Sequence, residues 1–307
     1  MISNPTLEHA PPLLNKQKKI NRNWLYGYLF ILPTFGAYLL FSLIPTLAVF
    51  VLSLFRWDFV NNPSFVGVQN FNRLFHDPLF IKSLGITFSY VLYNVPLQYL
   101  LSLIIVLALS RPLRGVKAFR VIYLVPWVTT PVAISIVWKW VLSPTTGVMN
   151  YLLGKMGMDR VDWFSSAMAM KSVLMVNIWQ HTGFSTLIML VGIQSIPKMF
   201  YESAKIDGAS VTRVFWHITL PLLKPTLLFL FITGIIGSFQ IFDAVYTITN
   251  GGPGDSTSVL YFLIYKQAFN FLDMGYASAM SVILFLILMI ITLLQFTVFR
   301  NTTYDLS

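Results

Sequence analysis

The 307-residue chain is 56% hydrophobic and only 10% charged, has a mean hydropathy of +0.70, and carries a formal net charge of +10. A soluble globular domain has about 25% charged residues, so the composition excludes a water-soluble fold and places the chain in a lipid bilayer. It has no cysteine, which excludes disulfide and thiol chemistry and leaves the redox compartment unread.

Residues 1–23, with Pro11, Pro12 and a cluster of Lys16, Lys18, Lys19 and Arg22, read as a polar cytoplasmic tail. The apolar run at 25–54 exceeds a signal-peptide core of about 7–15 residues and lacks a small-residue cleavage site. It is expected to be a retained spanning helix. Further runs long enough for the roughly 20 residues of a spanning helix occur at 84–109, 121–142, 172–196, 225–248 and 274–299. Lys139 lies near one end of the third, where a long side chain can reach the interface. These runs lack the ten-residue alternation of a membrane barrel, so the predicted fold is all-α with six transmembrane helices over 24–300 and a short tail at 301–307. Pro33, Pro45, Pro96, Pro126 and Pro131 fall inside the spans. Each frees backbone carbonyls that neighbours or water must satisfy, a pattern that fits ordinary tolerated prolines and broken helices along a pathway alike.

Basic residues set the orientation. Lys16, Lys18, Lys19, Arg22, Arg111, Arg114, Lys117, Arg120, Lys198, Lys205, Arg213, Lys224 and Arg300 lie on one side. Arg56, Arg73, Lys82, Lys155, Arg160, Lys171 and Lys266 lie on the other, diluted by aspartates. Thirteen against seven puts both termini in the cytoplasm by the positive-inside rule. The net charge is therefore a topology signal, and no nucleic-acid partner is expected. Segments near 55–83, 143–171 and 249–273 are external, and the segment between the fourth and fifth spans is internal.

That internal segment, 197–221, contains YESAKIDGASVTRVFWHITLP. Pro197 suits the first turn of a helix, and Gly208 suits its left-handed end. Ser210 can cap a second helix, in which Val211, Val214, Phe215 and Ile218 recur with helical spacing until Pro221 discourages continuation. The pattern predicts a helix–turn–helix lying at the cytoplasmic surface, either packed on its own bundle or docked on a soluble partner.

The residues of this stretch resemble the signature loop of permease subunits in ATP-binding-cassette importers. That pattern is Glu-Ala-Ala, three residues, Gly, nine residues, Ile, one residue, Leu-Pro. It is met here by Glu202, Ser203, Ala204, Gly208, Ile218, Leu220 and Pro221, with Ser203 in place of the first alanine. Asp207 and Ala209 match the Asp-Gly-Ala core of the carbohydrate branch. FVGVQNFNRLFHDPLF and FDAVYTITNGGPGDSTSVLYFLIYKQAF resemble the same branch, and the Asn-Gly-Gly-Pro segment resembles one of its two permease types, in sugar and glycerol-phosphate importers. The resemblance implies the type I importer permease fold in a bacterial inner membrane, without cofactor, metal or enzymatic activity of its own. It also implies a second permease, a cytoplasmic ATPase dimer and an extracytoplasmic solute-binding protein as partners. The loop would act as a coupling helix: Glu202 meets a basic group on the ATPase, Gly208 permits the bend, and the apolar face including Phe215 fills a cleft.

Fuel must come from a partner, because no G-x-x-x-x-G-K-[ST] loop occurs. The nearest stretch, Gly147 to Gly154-Lys155-Met156, has the wrong spacing and no hydroxyl. For the solute, polar residues inside spans are the candidates, since such groups are costly in a bilayer. Asn94 and Gln98, then Asn177, Gln180 and His181, then Gln240 and Asp243 each recur with helical spacing. They also fit interhelix hydrogen bonding. Trp138, Trp179, Phe239 and Phe242 supply nearby rings. His9, His76, His181 and His217 show no metal spacing. An ion-coupled secondary transporter is the alternative, but it should carry paired titratable groups near the midplane and repeated halves. The spans hold one acid, off-centre, and the loop is not duplicated.

Overall fold

The computed structural model describes residues 22–109 and 116–300. The expected tails at 1–21 and 301–307, with Arg111 and Arg114 of the first internal loop, lie outside the described residues. The chain divides into two compact units, Met1–Ala48 and Val49–Ser307.

In the first unit, α1 (Arg22–Tyr38) runs through a π-helical turn (Leu39–Leu43) into α2 (Ile44–Leu52), giving one apolar helix long enough to cross a membrane. The widened turn immediately precedes Pro45, and the Ile44 amide donates to Leu39 O, five residues back. A proline ring collides with the carbonyl four residues before it. Here that carbonyl belongs to Phe41, inside the π turn, where the extra residue gives the ring room.

The second unit opens with a two-stranded hairpin, β1 (Phe55–Arg56) against β2 (Ser64–Phe65), followed by α3 (Gln69–His76). The buried Asn70 amide donates to the Ser53 and Phe55 carbonyls at 2.8 and 2.9 Å, fixing α3 beneath the hairpin. α4 (Pro78–Leu109) passes Pro96 without a break. It packs along α8 (Ala169–Gln194), and α12 (Lys224–Phe239) and α5 (Val116–Val128) flank that pair. Tyr90, Val95, Val106, Val176, Met189, Leu230 and Phe239 form the core between them. The outward faces keep large apolar side chains exposed, such as Leu92, Val121 and Leu293, as a helix bordered by hydrocarbon requires.

Among the described residues four helices are long and apolar enough to cross a membrane, and two bent pairs, 121–141 and 211–239, would bring the number to six if each is one span. The third expected span is not straight: α5 stops at Val128, and α6 (Pro131–Val141) leaves at 104° to Val121–Val128. Pro131 stands at the first turn of α6, with Thr130 outside it at ψ 133°, so the proline starts a new helix. The fifth expected span is shorter than its apolar run. α12 ends at Phe239, and a π turn (Val245–Thr249) follows an irregular link. The segments expected to be external are built rather than loose. α7 (Val148–Lys155) lies between α6 and α8, and α13 (Leu260–Tyr265) packs against α4 and α14 (Met274–Arg300). Arg73 of α3 pairs with Asp273 at 2.6 Å and lies 3.9 Å over the Tyr276 ring, whose hydroxyl donates to Asp77 at 2.7 Å. Together these tie the start of α14 to the segment between α2 and α4.

Candidate functional site: a capped two-helix loop and a polar cavity

The loop between α8 and α12 is closely defined. α9 (Lys198–Ile206) starts after Pro197, which stands just outside the helix as its cap and not in the first turn as expected. At the other end the Gly208 amide donates to Lys205 O at 3.2 Å and the Ala209 amide to Ala204 O at 2.9 Å. Gly208 has φ +69°. These two bonds around a left-handed residue are a Schellman cap, and only glycine adopts that conformation without a side-chain penalty. Ser210 Oγ then accepts from the Arg213 amide at 3.4 Å, capping α10 (Val211–Val214).

The second arm runs further than its sequence suggested. A π turn (Phe215–Thr219) leads into α11 (Leu220–Leu222), so Pro221 sits within the arm, with His217, the source of the clashing carbonyl, inside the π turn. The arm ends at Leu223, and α12 leaves at a 63° bend beside Pro225. Of the expected apolar stripe, Val214, Phe215 and Ile218 are half-buried, while Val211, the first residue of α10, is 84% exposed. Outward apolar surface is shared by both arms: Val211 and Trp216 are exposed on the second, and on α9 Met199 (64% exposed) and Ile206 (86% exposed) flank exposed Glu202 at i, i+3 and i+7. Ser203 and Asp207 are exposed, Ala209, Leu220 and Pro221 are half-buried, and Ala204 is buried. Tyr201 and Thr219 hydroxyls meet at 3.3 Å and brace the two arms.

The second feature is a cavity of about 190 Å³ between α4, α5, α8 and α12. Four of the seven expected pathway residues line it: Asn94, Gln98, Asn177 and His181. Asn94 Nδ2 donates to Ser238 Oγ at 2.9 Å and lies 3.5 Å from Gln98 Oε1, and Gln98 Nε2 donates to Ser185 Oγ at 2.7 Å. His181 Nδ1 sits 3.0 Å from Asn177 O, the distance at which an Nδ1–H donates to that carbonyl and leaves Nε2 an acceptor. The other three residues are elsewhere. Gln180 is buried with Nε2 3.5 Å from Thr129 O, at the carbonyls freed by the α5–α6 bend. Gln240 and Asp243 do not share a helix face, because α12 has ended; Gln240 is exposed and Asp243 half-buried.

The rings also differ from expectation. Trp127 and Phe184, stacked at 4.6 Å, line the cavity, whereas Trp138 and Trp179 pack edge-on against each other. Phe239 is buried and Phe242 stacks on Tyr246. Sequence reasoning missed Tyr99, Ser185 and Ser238, also in the lining. Hydroxyl residues in a helix commonly bond back to their own carbonyls, so their pattern carries no pathway signal.

A multi-pass helical chain with a polar cavity among its spans and a rigid surface loop joining two of them is a transport component of a membrane, not an enzyme. Residues 80–303 match the family described as binding-protein-dependent transport system inner membrane component, and the chain belongs to that family as a permease subunit. The trehalose/maltose transport system permease protein MalF of Thermococcus litoralis is 34% identical over 276 residues, covering 89% of this chain and 93% of that one. The sn-glycerol-3-phosphate transport system permease protein UgpA of Agrobacterium fabrum is 29% identical over 282 residues, covering 91% and 96%. Among solved structures, a chain of a bacterial ABC transporter involved in the import of the acidic polysaccharide alginate is 26% identical. It superposes with a TM-score of 0.80 over 94% of this chain and 99% of that one.

Proposed function

We propose that this permease forms half of the pathway of an ATP-driven importer for a sugar, glycoside or glycerol-phosphate-like solute. It pairs with a second permease, takes its solute from an extracytoplasmic binding protein, and seats the 198–222 helix pair in a cytoplasmic ATPase dimer. Both termini are cytoplasmic. The solute passes the Asn94–Gln98–His181 cavity, where amide, imidazole and hydroxyl groups stand beside the Trp127 and Phe184 rings.

The observation that carries the coupling assignment is the stiffness of the loop. Its first arm ends in a Schellman cap, the second begins with a serine cap, and the exposed face of α9 presents Glu202 between Met199 and Ile206. Rigid-body alternating access needs an element that transmits displacement without bending. An apolar pair flanking one acid is a surface suited to a cleft with a basic rim.

The test is uptake into liposomes holding the assembled importer. Uptake requires ATP inside. Glu202→Lys and Gly208→Val lower it about tenfold or more, the equivalent of roughly 1.4 kcal/mol or more in coupling, and loosen ATPase association while membrane insertion is unchanged. Normal transport and normal ATPase binding in both variants removes the coupling role. Uptake by the chain alone, driven by an ion gradient, establishes a secondary transporter instead.

A further inference from the structure

We infer that the cavity selects an uncharged, hydroxyl-rich solute and rejects phosphate and carboxylate groups, with Asn94 Oδ1 accepting a hydrogen bond from a solute hydroxyl. The inference rests on the reading of this cavity as the solute site, and relatives named for both neutral and acidic solutes leave the charge class open.

The first observation is the state of Asn94. The residue is 2% exposed, and its Nδ2 is committed to Ser238 and Gln98, but its Oδ1 has no hydrogen-bond partner in the protein. A buried acceptor left unsatisfied costs about 1–3 kcal/mol, and here the residue carrying it lines a space large enough for a ligand. A group that donates a proton to Oδ1 recovers that cost. The second observation is the sign of what the cavity offers. One of the two Gln98 amide hydrogens goes to Ser185, and His181, with Nδ1 on the Asn177 carbonyl, presents an acceptor nitrogen. The cavity thus offers acceptors beside the amide and hydroxyl donors of its lining, a mixed and neutral set. The third is charge: among the described residues the lining contains neither Lys nor Arg, and neither Asp nor Glu.

These three observations discriminate. A phosphate or carboxylate brings only acceptor oxygens, which leave Asn94 Oδ1 unpaired, and a full anion in a low-dielectric interior without a counter-charge is strongly disfavoured. A cation finds no carboxylate. A sugar hydroxyl both donates and accepts, so it can give its proton to Asn94 Oδ1 while its oxygen accepts from a serine or threonine rotor. The flat Trp127–Phe184 pair accommodates the apolar face of a ring.

The test is direct binding to the complete importer in nanodiscs, both nucleotide-free and vanadate-trapped, titrated with radiolabelled maltose, trehalose and glycerol 3-phosphate. At least one disaccharide binds about tenfold or more tighter than glycerol 3-phosphate, and Asn94→Leu weakens it by about tenfold. Gly237, which lines the cavity and has open space at its Cβ position, provides a second variant that does not touch the buried network. Gly237→Lys supplies the missing cation and raises glycerol 3-phosphate affinity by about tenfold. Glycerol 3-phosphate binding the wild type as tightly as either sugar overturns the inference, as does sugar binding undiminished in Asn94→Leu. Sugar binding that neither variant alters removes the cavity as the solute site. Binding of no probe in either state removes both the inference and the carbohydrate reading beneath it.

Discussion

At Asn150, all four hydrogen-bonding positions of a side-chain amide are occupied. Its Nδ2 donates to Pro144 O at 3.0 Å and Val161 O at 2.9 Å, and its Oδ1 accepts from the Val161 amide and Trp163 Nε1, both at 3.1 Å. One buried residue of α7 thereby holds both ends of the segment between α6 and α8. Asn94 is equally buried, yet half its capacity is unspent. The contrast separates an amide that organises backbone from one that awaits a ligand. The separation is invisible in sequence, where Asn94 attracted notice for lying inside a span and Asn150 did not. Each net hydrogen bond contributes about 0.5–1.5 kcal/mol, so Asn150→Leu destabilises this segment by roughly 2–4 kcal/mol. Trp163 loses its indole partner, and its fluorescence shifts to the red as protease sensitivity rises between α6 and α8. An unchanged Trp163 spectrum with wild-type protease resistance would show the segment to be held by other contacts.

Among the elements, apolar run length located the four long helices, but not where the third and fifth runs bend or stop. Pro33, Pro96 and Pro126 lie inside helices that continue past them, Pro45 follows a π turn, and Pro131 begins a new helix at 104°. The outcome depends on tertiary partners, which periodicity along one segment does not report. At the α5–α6 bend those partners come from α8. Gln180 reaches the Thr129 carbonyl, Phe184 stacks on Trp127, and Gly183 lies directly against the Tyr123 carbonyl. A side chain at position 183 would collide with backbone, which cannot rotate aside as a side chain can. Gly183→Val therefore pushes α5 off α8 and opens the cavity wall formed by Trp127. Overpacking of this kind costs about 1–3 kcal/mol, read as a lower melting temperature of the detergent-solubilised importer together with loss of uptake. Pro131→Ala at the same bend has the smaller effect, because the contacts to α8 remain. The reverse ranking would mean that the proline, and not the packing, sets the bend.

For the molecule as a whole, the signature loop and the spans were legible because both are written in fixed spacing and hydrophobic length. The cavity was only partly legible. Asn94, Gln98, Asn177 and His181 converge because α4 and α8 pack side by side, while Gln240 and Asp243 fall away because α12 ends before its apolar run does. Orientation rests on a different physical quantity, the asymmetry of thirteen basic residues against seven. Each Lys or Arg near an anionic leaflet contributes roughly 1 kcal/mol, and the proposed cytoplasmic face of the Glu202 loop rests on that sum. The absence of cysteine makes this directly measurable, since a single introduced thiol is the sole target of a membrane-impermeant maleimide. Lys205 and Asp159 are both exposed, the first on α9 and the second in the segment held by Asn150. In right-side-out vesicles Asp159→Cys is labelled and Lys205→Cys is protected; in inverted vesicles the pattern exchanges. A loop labelled from outside could not meet a cytoplasmic ATPase. That result would dismantle the coupling assignment even if every contact within the loop were as described.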